Sequence, residues 1–227
     1  PNKLLLIKHK IQVMSFDMYK RNDNAIWMVL EGIDGCGKTS VGREVVERLT
    51  AQDKSVDFLF EPSDLPIGRL IRQYNKGDYE VTLNSVEYFL MFTADRIMQM
   101  RTNIIPGLNN GVNKIEDRHV YASIAYQGGE DLSIDDMLSI HSFLSESRPN
   151  KCVIIDAPPE VTLNRAHSRG EKLEVFETNP FLTKVRANYL ELARRKDLFP
   201  EIEVIDGTAS FEEVTQNVLS IYKRLEK

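Results

Sequence analysis

The sequence predicts an α/β fold with five parallel strands and helices on both faces of the sheet. Two observations predict it. From Ile26 onward, short apolar runs of β type alternate with stretches of helical periodicity, the pattern left when each helix crosses back over a sheet. A glycine-rich loop also sits where the first apolar run ends and the first helical stretch begins. In parallel α/β sheets that junction, at the carboxyl end of a strand, is where ligands bind.

The elements follow in order. "IWMVLE" (26–31) reads as a buried strand, and the helix after the glycine loop keeps Val41, Val45, Val46 and Leu49 on one face. "SVDFLF" (55–60) reads as the second strand, stopped by Glu61-Pro62. Two helices are expected over 65–74 and 84–105, the second ended by Pro106-Gly107. "VNKIEDRHV" holds the third strand, and Ser133 with Asp136 makes a capping pattern for a helix that stops before Pro149. "KCVIIDA" and "IEVIDGT" are the last strands, and a final helix starts near Phe211.

The chain of 227 residues is long enough for one full core and at most two domains. Residues 1–25 are expected to stand apart as an N-terminal extension, an added strand or helix or an upstream translation artefact, with one domain over 26–227. A net charge of −5 gives no global basic field for a nucleic acid polymer or an anionic membrane. No apolar run approaches the roughly 20 residues that span a bilayer. "PNKLLLIKHK" is a poor signal peptide, and two cysteines make no disulfide framework, so a cytoplasmic protein is expected.

The loop "EGIDGCGKTS" reads Gly32, four residues, then Gly37-Lys38-Thr39. Glycines at these places let successive backbone N–H groups curl around phosphate oxygens, and the following helix adds its positive end. Lys38 would reach the β- and γ-phosphates, and the Thr39 hydroxyl would ligate Mg²⁺. The loop therefore predicts a P-loop nucleotide site built from Gly32, Ile33, Asp34, Gly35, Cys36, Gly37, Lys38, Thr39 and Ser40. Asp34 is unusual there, since a carboxylate repels phosphate. It is expected to meet a cation or a hydroxyl near the phosphoryl acceptor. "NKGD" (75–78) imitates the guanine-reading pattern of GTPases but lies before most of the strands, so it reads as a polar turn. A P-loop GTPase and a non-catalytic nucleotide-binding module remain the readings outside the kinases.

With three further segments the chain resembles the thymidylate kinase family. The family's "EGIDGxGK" is here Glu31 to Lys38, its "EP" is Glu61-Pro62, and its "F-x-x-x-R" helix carries Phe92 and Arg96. Its "DR(Y/H)…AYQG" is Asp117-Arg118-His119 followed by Ala125 to Gly128, and "RAHSRGEKLEVFE" (165–177) resembles its arginine-bearing lid, placed at about 165–178. The resemblance implies a P-loop three-layer sandwich and ATP- and Mg²⁺-dependent phosphorylation of dTMP to dTDP, in a protein that is usually a homodimer. A broader nucleoside monophosphate kinase accepting dUMP or others is the alternative within kinases.

The implied roles go by position. Lys38 and Thr39 serve ATP and Mg²⁺, with Asp117 near the metal. Asp34 sits by the acceptor sugar and the transferred group. Phe92 stacks on the thymine and Arg96 donates to a thymine oxygen. Arg118 and Arg72 grip the acceptor phosphate, while Glu61, Pro62, Ser123, Tyr126 and Gln127 lie close to the acceptor. Gly35 after the loop aspartate fits the style of enzyme that places its basic residues in the lid, here Arg165 and Arg169. This chain departs from the family at Phe60, at Ser63-Asp64-Leu65, at Ala122-Ser123 and at Glu174-Val175.

Each of these side chains also has a plainer reading. Phe92 could be core, Arg96 a surface residue paired through Asp95, and Arg165 and Arg169 a solvated helix face. The four histidines show no metal-ligand spacing. Cys36, at a helix N-terminus beside Lys38, is expected to favour the thiolate. Cys152 is expected to be buried, without a bond to Cys36.

Overall fold

A computed structural model of the chain describes residues 25–129, 132–141, 148–168 and 179–226. Residues 1–24 of the expected N-terminal extension, Arg169 and most of the expected lid lie outside them. The five strands are β1 (Trp27–Glu31), β2 (Val56–Phe60), β3 (Asn113–Asp117), β4 (Lys151–Asp156) and β5 (Ile202–Asp206). They form one sheet in the order β2-β3-β1-β4-β5, with every pairing parallel.

β1 is central and buried along its whole length. Its residues alternate between two cores because successive side chains of a strand point to opposite faces. Trp27 and Val29 join the layer containing Phe89, Ile104, Tyr121 and Tyr189, whereas Met28 and Leu30 join the layer of Val41, Val45, Leu49 and Val218. A strand apolar on both sides is what a sheet covered by helices on both faces requires.

The helices are α1 (Lys38–Thr50), α2 (Pro66–Lys76), α3 (Ser85–Gln99), α4 (Ile105–Asn109), α5 (Val120–Gln127), α6 (Ile134–Ile140), α7 (Pro159–Ser168), α8 (Asn179–Arg194) and α9 (Phe211–Lys223). Asn84, Ser133 and Ser210 each close a capping box at a helix start, satisfying amide hydrogens that have no partner inside the helix. "NKGD" is the end of α2, with Gly77 as its left-handed C-cap. That is the polar turn expected, and not a base-reading strand end.

One boundary differs from expectation. Pro106-Gly107 does not end the long helix. A π-helical segment, Met100–Ile104, follows α3 and leads into α4, which places Pro106 in the first turn of the new segment. The missing N–H of proline costs nothing there.

Candidate active site

The site forms where β1, β2 and β3 end together. Asp117, last in β3, is in register with Leu30 of β1 and Phe60 of β2. The glycine loop after β1, Glu61 after β2 and Arg118 after β3 therefore leave the sheet at one edge.

In the loop, Gly32, Gly35 and Gly37 all have positive φ. A Cβ on Gly32 would strike the Ile155 carbonyl at 2.6 Å and one on Gly35 the Thr162 carbonyl at 2.7 Å, but nothing lies within 4 Å of one on Gly37. Gly37, at φ 104 just before α1, thus has a left-handed backbone and open space beside it, as a phosphate cradle requires. Lys38 bends back over the loop, its Nζ donating to the carbonyls of Gly32 at 2.9 Å and Ile33 at 3.0 Å. Thr39 Oγ1 donates to Asp117 Oδ2 at 2.5 Å, while Asp117 Oδ1 is buried without a hydrogen-bond partner among the described residues. A hydroxyl and a carboxylate with a spare oxygen are the hard donors that suit Mg²⁺. Ser40 is exposed.

Asp34 has the company its charge calls for. Arg118 Nη2 pairs with Asp34 Oδ1, and the Tyr126 hydroxyl donates to Oδ2 at 2.7 Å. Arg118 also lies over the Tyr126 ring, 4.9 Å from its centre. Its backbone sits at φ 73, a left-handed conformation that few residues with side chains adopt. Burial pushes the Asp34 carboxyl up, but Arg118 and Lys38 outweigh it and hold it at about 2. The acid therefore stays ionised at any working pH.

Behind this cluster Glu61 and Arg96 spend their polar atoms on each other. Arg96 Nε donates to Glu61 Oε1 at 3.0 Å and Nη2 to Oε2 at 2.6 Å. Nη2 also reaches Ser123 Oγ at 2.9 Å, and Nη1 reaches His141 Nε2 at 2.8 Å. Arg96 is 0 % exposed, so it is not a surface residue paired through Asp95. Asp95 instead accepts from the backbone and side chain of Ser63. Phe92, one turn before Arg96 on α3, is half-buried. Arg72 donates to the Pro62 carbonyl at 2.5 Å and to Asp64 at 2.7 Å, holding the turn after Glu61. Among the described residues Gln127 Oε1 is buried without a hydrogen-bond partner. Arg165 donates to the Gly207 carbonyl at 2.8 Å, at the end of β5; it is therefore engaged with β5 rather than free as a solvated face.

Several participants were not singled out from the sequence. Glu31, whose burial pushes its carboxyl up to about 7, accepts from the His119 and Ala122 amides at 2.7 and 3.2 Å and from the Tyr189 hydroxyl at 2.7 Å. It caps α5 from another element and ties it to α8. His119 Nδ1 lies 3.5 Å from both Glu61 and Glu116. Burial opposes its charge, but Glu116 and Glu61 prevail and raise it to about 9. Glu61, Glu116 and His119 offer ligand atoms within 4.8 Å of one another, which histidine spacing alone could not reveal. Both oxygens of Glu61 already accept from Arg96, and those of Glu116 accept from Gln99 and Trp27. Two carboxylates facing Arg96 and a protonated His119 balance their own charge, which argues against a cation there.

Cys36 corrects an expectation. It is 2 % exposed, and desolvation raises its thiol despite Lys38 nearby. Burial overrides the helix terminus. Cys36 and Cys152 are both buried and free, as expected, and belong to opposite core layers.

A family model described as thymidylate kinase matches residues 30–218. A probable thymidylate kinase of Pyrococcus abyssi is 34% identical over 200 residues, 87% of this chain and 95% of that protein. A thymidylate kinase of Leptospira borgpetersenii is 32% identical, covering 89% of this chain and 95% of its own length. One from Alteromonas mediterranea is 33% identical, covering 86% and 88%.

Proposed function

The chain belongs to the thymidylate kinase family, and from that premise we propose that it transfers the γ-phosphoryl group of ATP to dTMP, giving dTDP and ADP. The observation that carries the reading is the meeting of Asp34, Arg118 and Tyr126 beside the phosphate loop. A plain nucleotide-binding loop needs no such group, whereas a kinase must hold a second, anionic substrate in line with the first.

Phosphoryl transfer asks little covalent work of a protein; it asks for positioning and for charge opposite the equatorial oxygens. Lys38 and the loop amides serve the donor phosphates. Arg118 grips the acceptor phosphate, and Asp34 with Tyr126 sets the direction of that guanidinium. A phosphate oxygen of dTMP attacks the γ-phosphorus while the bond to the β-bridging oxygen breaks, and ADP leaves. Magnesium, when bound, neutralises phosphate charge; Thr39 and Asp117 would hold it. Phe92 gives the base a stacking surface and Arg96 a donor. Gly32 to Ser40 form the donor cradle, and Glu61, Pro62, Arg72, Ser123, Tyr126 and Gln127 frame the acceptor. By resemblance to the family, Arg165 and Arg169 are assigned to the basic residues that a lid would bring to the transferred group; Arg165 starts from α7, where it donates to the Gly207 carbonyl.

We assign the domain to residues 26–227, in a cytoplasmic homodimer. Among the described residues no helix is long and apolar enough to cross a membrane. Leu90, 50 % exposed on α3, supports a contact between copies.

The test is a coupled ADP-release assay with ATP and a panel of dTMP, dUMP, dCMP and dGMP, with Lys38→Ala as control. We expect dTMP to give the highest kcat/KM and the control to lose at least about a hundredfold. Equal turnover of all four acceptors would overturn dTMP as the substrate.

A further inference from the structure

We propose that His141 is a positioning residue for acceptor-base recognition, deciding which hydrogens Arg96 has left to offer; this rests on the reading that Arg96 donates to the base of the acceptor.

On α3, Phe89, Thr93 and Arg96 stand at i, i+4 and i+7, one face of the helix. His141 follows α6 as its C-cap and lies against that face. Its ring stands edge-on to Phe89, with centres 5.2 Å apart at 67°. Its Nδ1 is 2.9 Å from the Met137 carbonyl and its Nε2 is 2.8 Å from Arg96 Nη1. A carbonyl only accepts, so Nδ1 carries the hydrogen. An arginine only donates, so Nε2 presents its lone pair. Both contacts demand one neutral tautomer, and each enforces the other. Thr93 Oγ1, 3.4 Å from Nε2, has its hydrogen on the Phe89 carbonyl at 2.7 Å and does not compete for Arg96.

The guanidinium has five N–H donors. Glu61 takes the Nε hydrogen and one on Nη2, which fixes the plane. Ser123 takes the other Nη2 hydrogen. His141 takes one on Nη1. Among the described residues a single Nη1 hydrogen is then left, in a fixed direction. Without the imidazole, Nη1 would carry two uncommitted hydrogens beside a gap that water can fill. A lone donor of set direction selects a ring carbonyl over an amino group; a solvated pair selects poorly. The acceptor must also be neutral. A protonated imidazole would repel Arg96, and a carboxylate would add a third negative group beside Glu61 and Glu116.

The experiment compares His141→Phe, which keeps the ring and its packing but removes the acceptor, with His141→Asn, whose amide oxygen can accept from Nη1. His141→Leu stands in should the Phe variant not fold, and Arg96→Met reports on the underlying reading. KM for dTMP, KM for ATP, kcat and the preference for dTMP over dCMP are measured for each. We expect His141→Phe to raise KM for dTMP about tenfold and narrow the dTMP preference, with KM for ATP and kcat nearly unchanged. His141→Asn should recover KM to within about threefold. A wild-type KM for dTMP in His141→Phe, an equal rise for both substrates, or an Asn variant as impaired as Phe would overturn the proposal. If Arg96→Met raises KM for dTMP while His141→Phe does not, only the role of His141 falls. If Arg96→Met leaves that KM unchanged, the reading of Arg96 falls and the proposal with it.

Discussion

Arg118 pairs with one carboxylate oxygen of Asp34 and the Tyr126 hydroxyl occupies the other at 2.7 Å. The pair is half open, with the Asp34 side chain 30 % exposed, so it contributes modestly to stability. Its consequence is geometric: a guanidinium on a strained backbone is given one direction. Asp34→Asn keeps the shape but removes the charge that opposes Arg118. The expected result is a fall in kcat with dTMP of about a hundredfold or more, at nearly unchanged melting temperature. Tyr126→Phe leaves the ion pair in place and should lose less, on the order of tenfold. Steady-state kinetics and thermal melts check both, and an Asp34→Asn variant at wild-type kcat would remove Asp34 from the machinery.

Phe92 is half-buried one turn from Arg96, which suits a surface for stacking better than a core position. Phe92→Ala should raise KM for dTMP by about tenfold while leaving KM for ATP in place, since stacking belongs to the acceptor half of the site. An equal change in both constants, or a large drop in melting temperature, would return Phe92 to the core.

What the sequence disclosed follows from how local each signal is. The loop at Gly32 to Thr39 was legible because its chemistry is written in consecutive residues, and its place between β1 and α1 follows from the same stretch. That Asp34 would seek a cation could be argued from charge alone; that the cation is Arg118 required β1 and β3 to be neighbours. Glu31, Glu116 and His141 were not legible as site residues. A single polar or ionisable residue looks like a solvated one until its partner, here Tyr189 for Glu31, Trp27 for Glu116 and Arg96 for His141, is brought from far along the chain. Pro106 misled because a π-helical segment re-sets the register before it, and nothing in the composition of "MRTNI" announces that.

Cys36 shows a local argument losing to a tertiary one. Its position next to Lys38 suggests reactivity, but burial raises the thiol and shields it. We expect iodoacetamide at pH 7.5 to leave the activity of the native protein intact over hours, with ATP making no difference, and to label both cysteines only after denaturation. Rapid inactivation that ATP slows would restore the thiolate reading.

The pH dependence of stability should carry the signature of His141. The side chain is 7 % exposed; burial first, then the neighbouring Arg96, lowers it from its usual 6.5 to about 4. Glu61 and His119 act on it more weakly and in opposite directions. Between these two values the unfolded chain binds a proton that the folded chain does not. Stability therefore rises with pH across that window, is fully present above pH 6.5, and is lost as the pH falls toward 4. A shift of this size corresponds to on the order of 3 kcal/mol at most. Glu61 titrates lower, being held below the usual carboxylate range by Arg96 against its own desolvation. His119 acts in the other direction, contributing below pH 6.5 and losing its share as pH rises through about 9. Subtracting the urea-unfolding curves of His141→Asn from those of the native protein at intervals from pH 4 to 8 isolates the histidine. The native protein should lose stability relative to the variant as the pH falls from 6.5 to 4, and the difference should be flat above 7. Parallel curves throughout would mean that the imidazole titrates alike folded and unfolded, and that Arg96 does not hold it neutral.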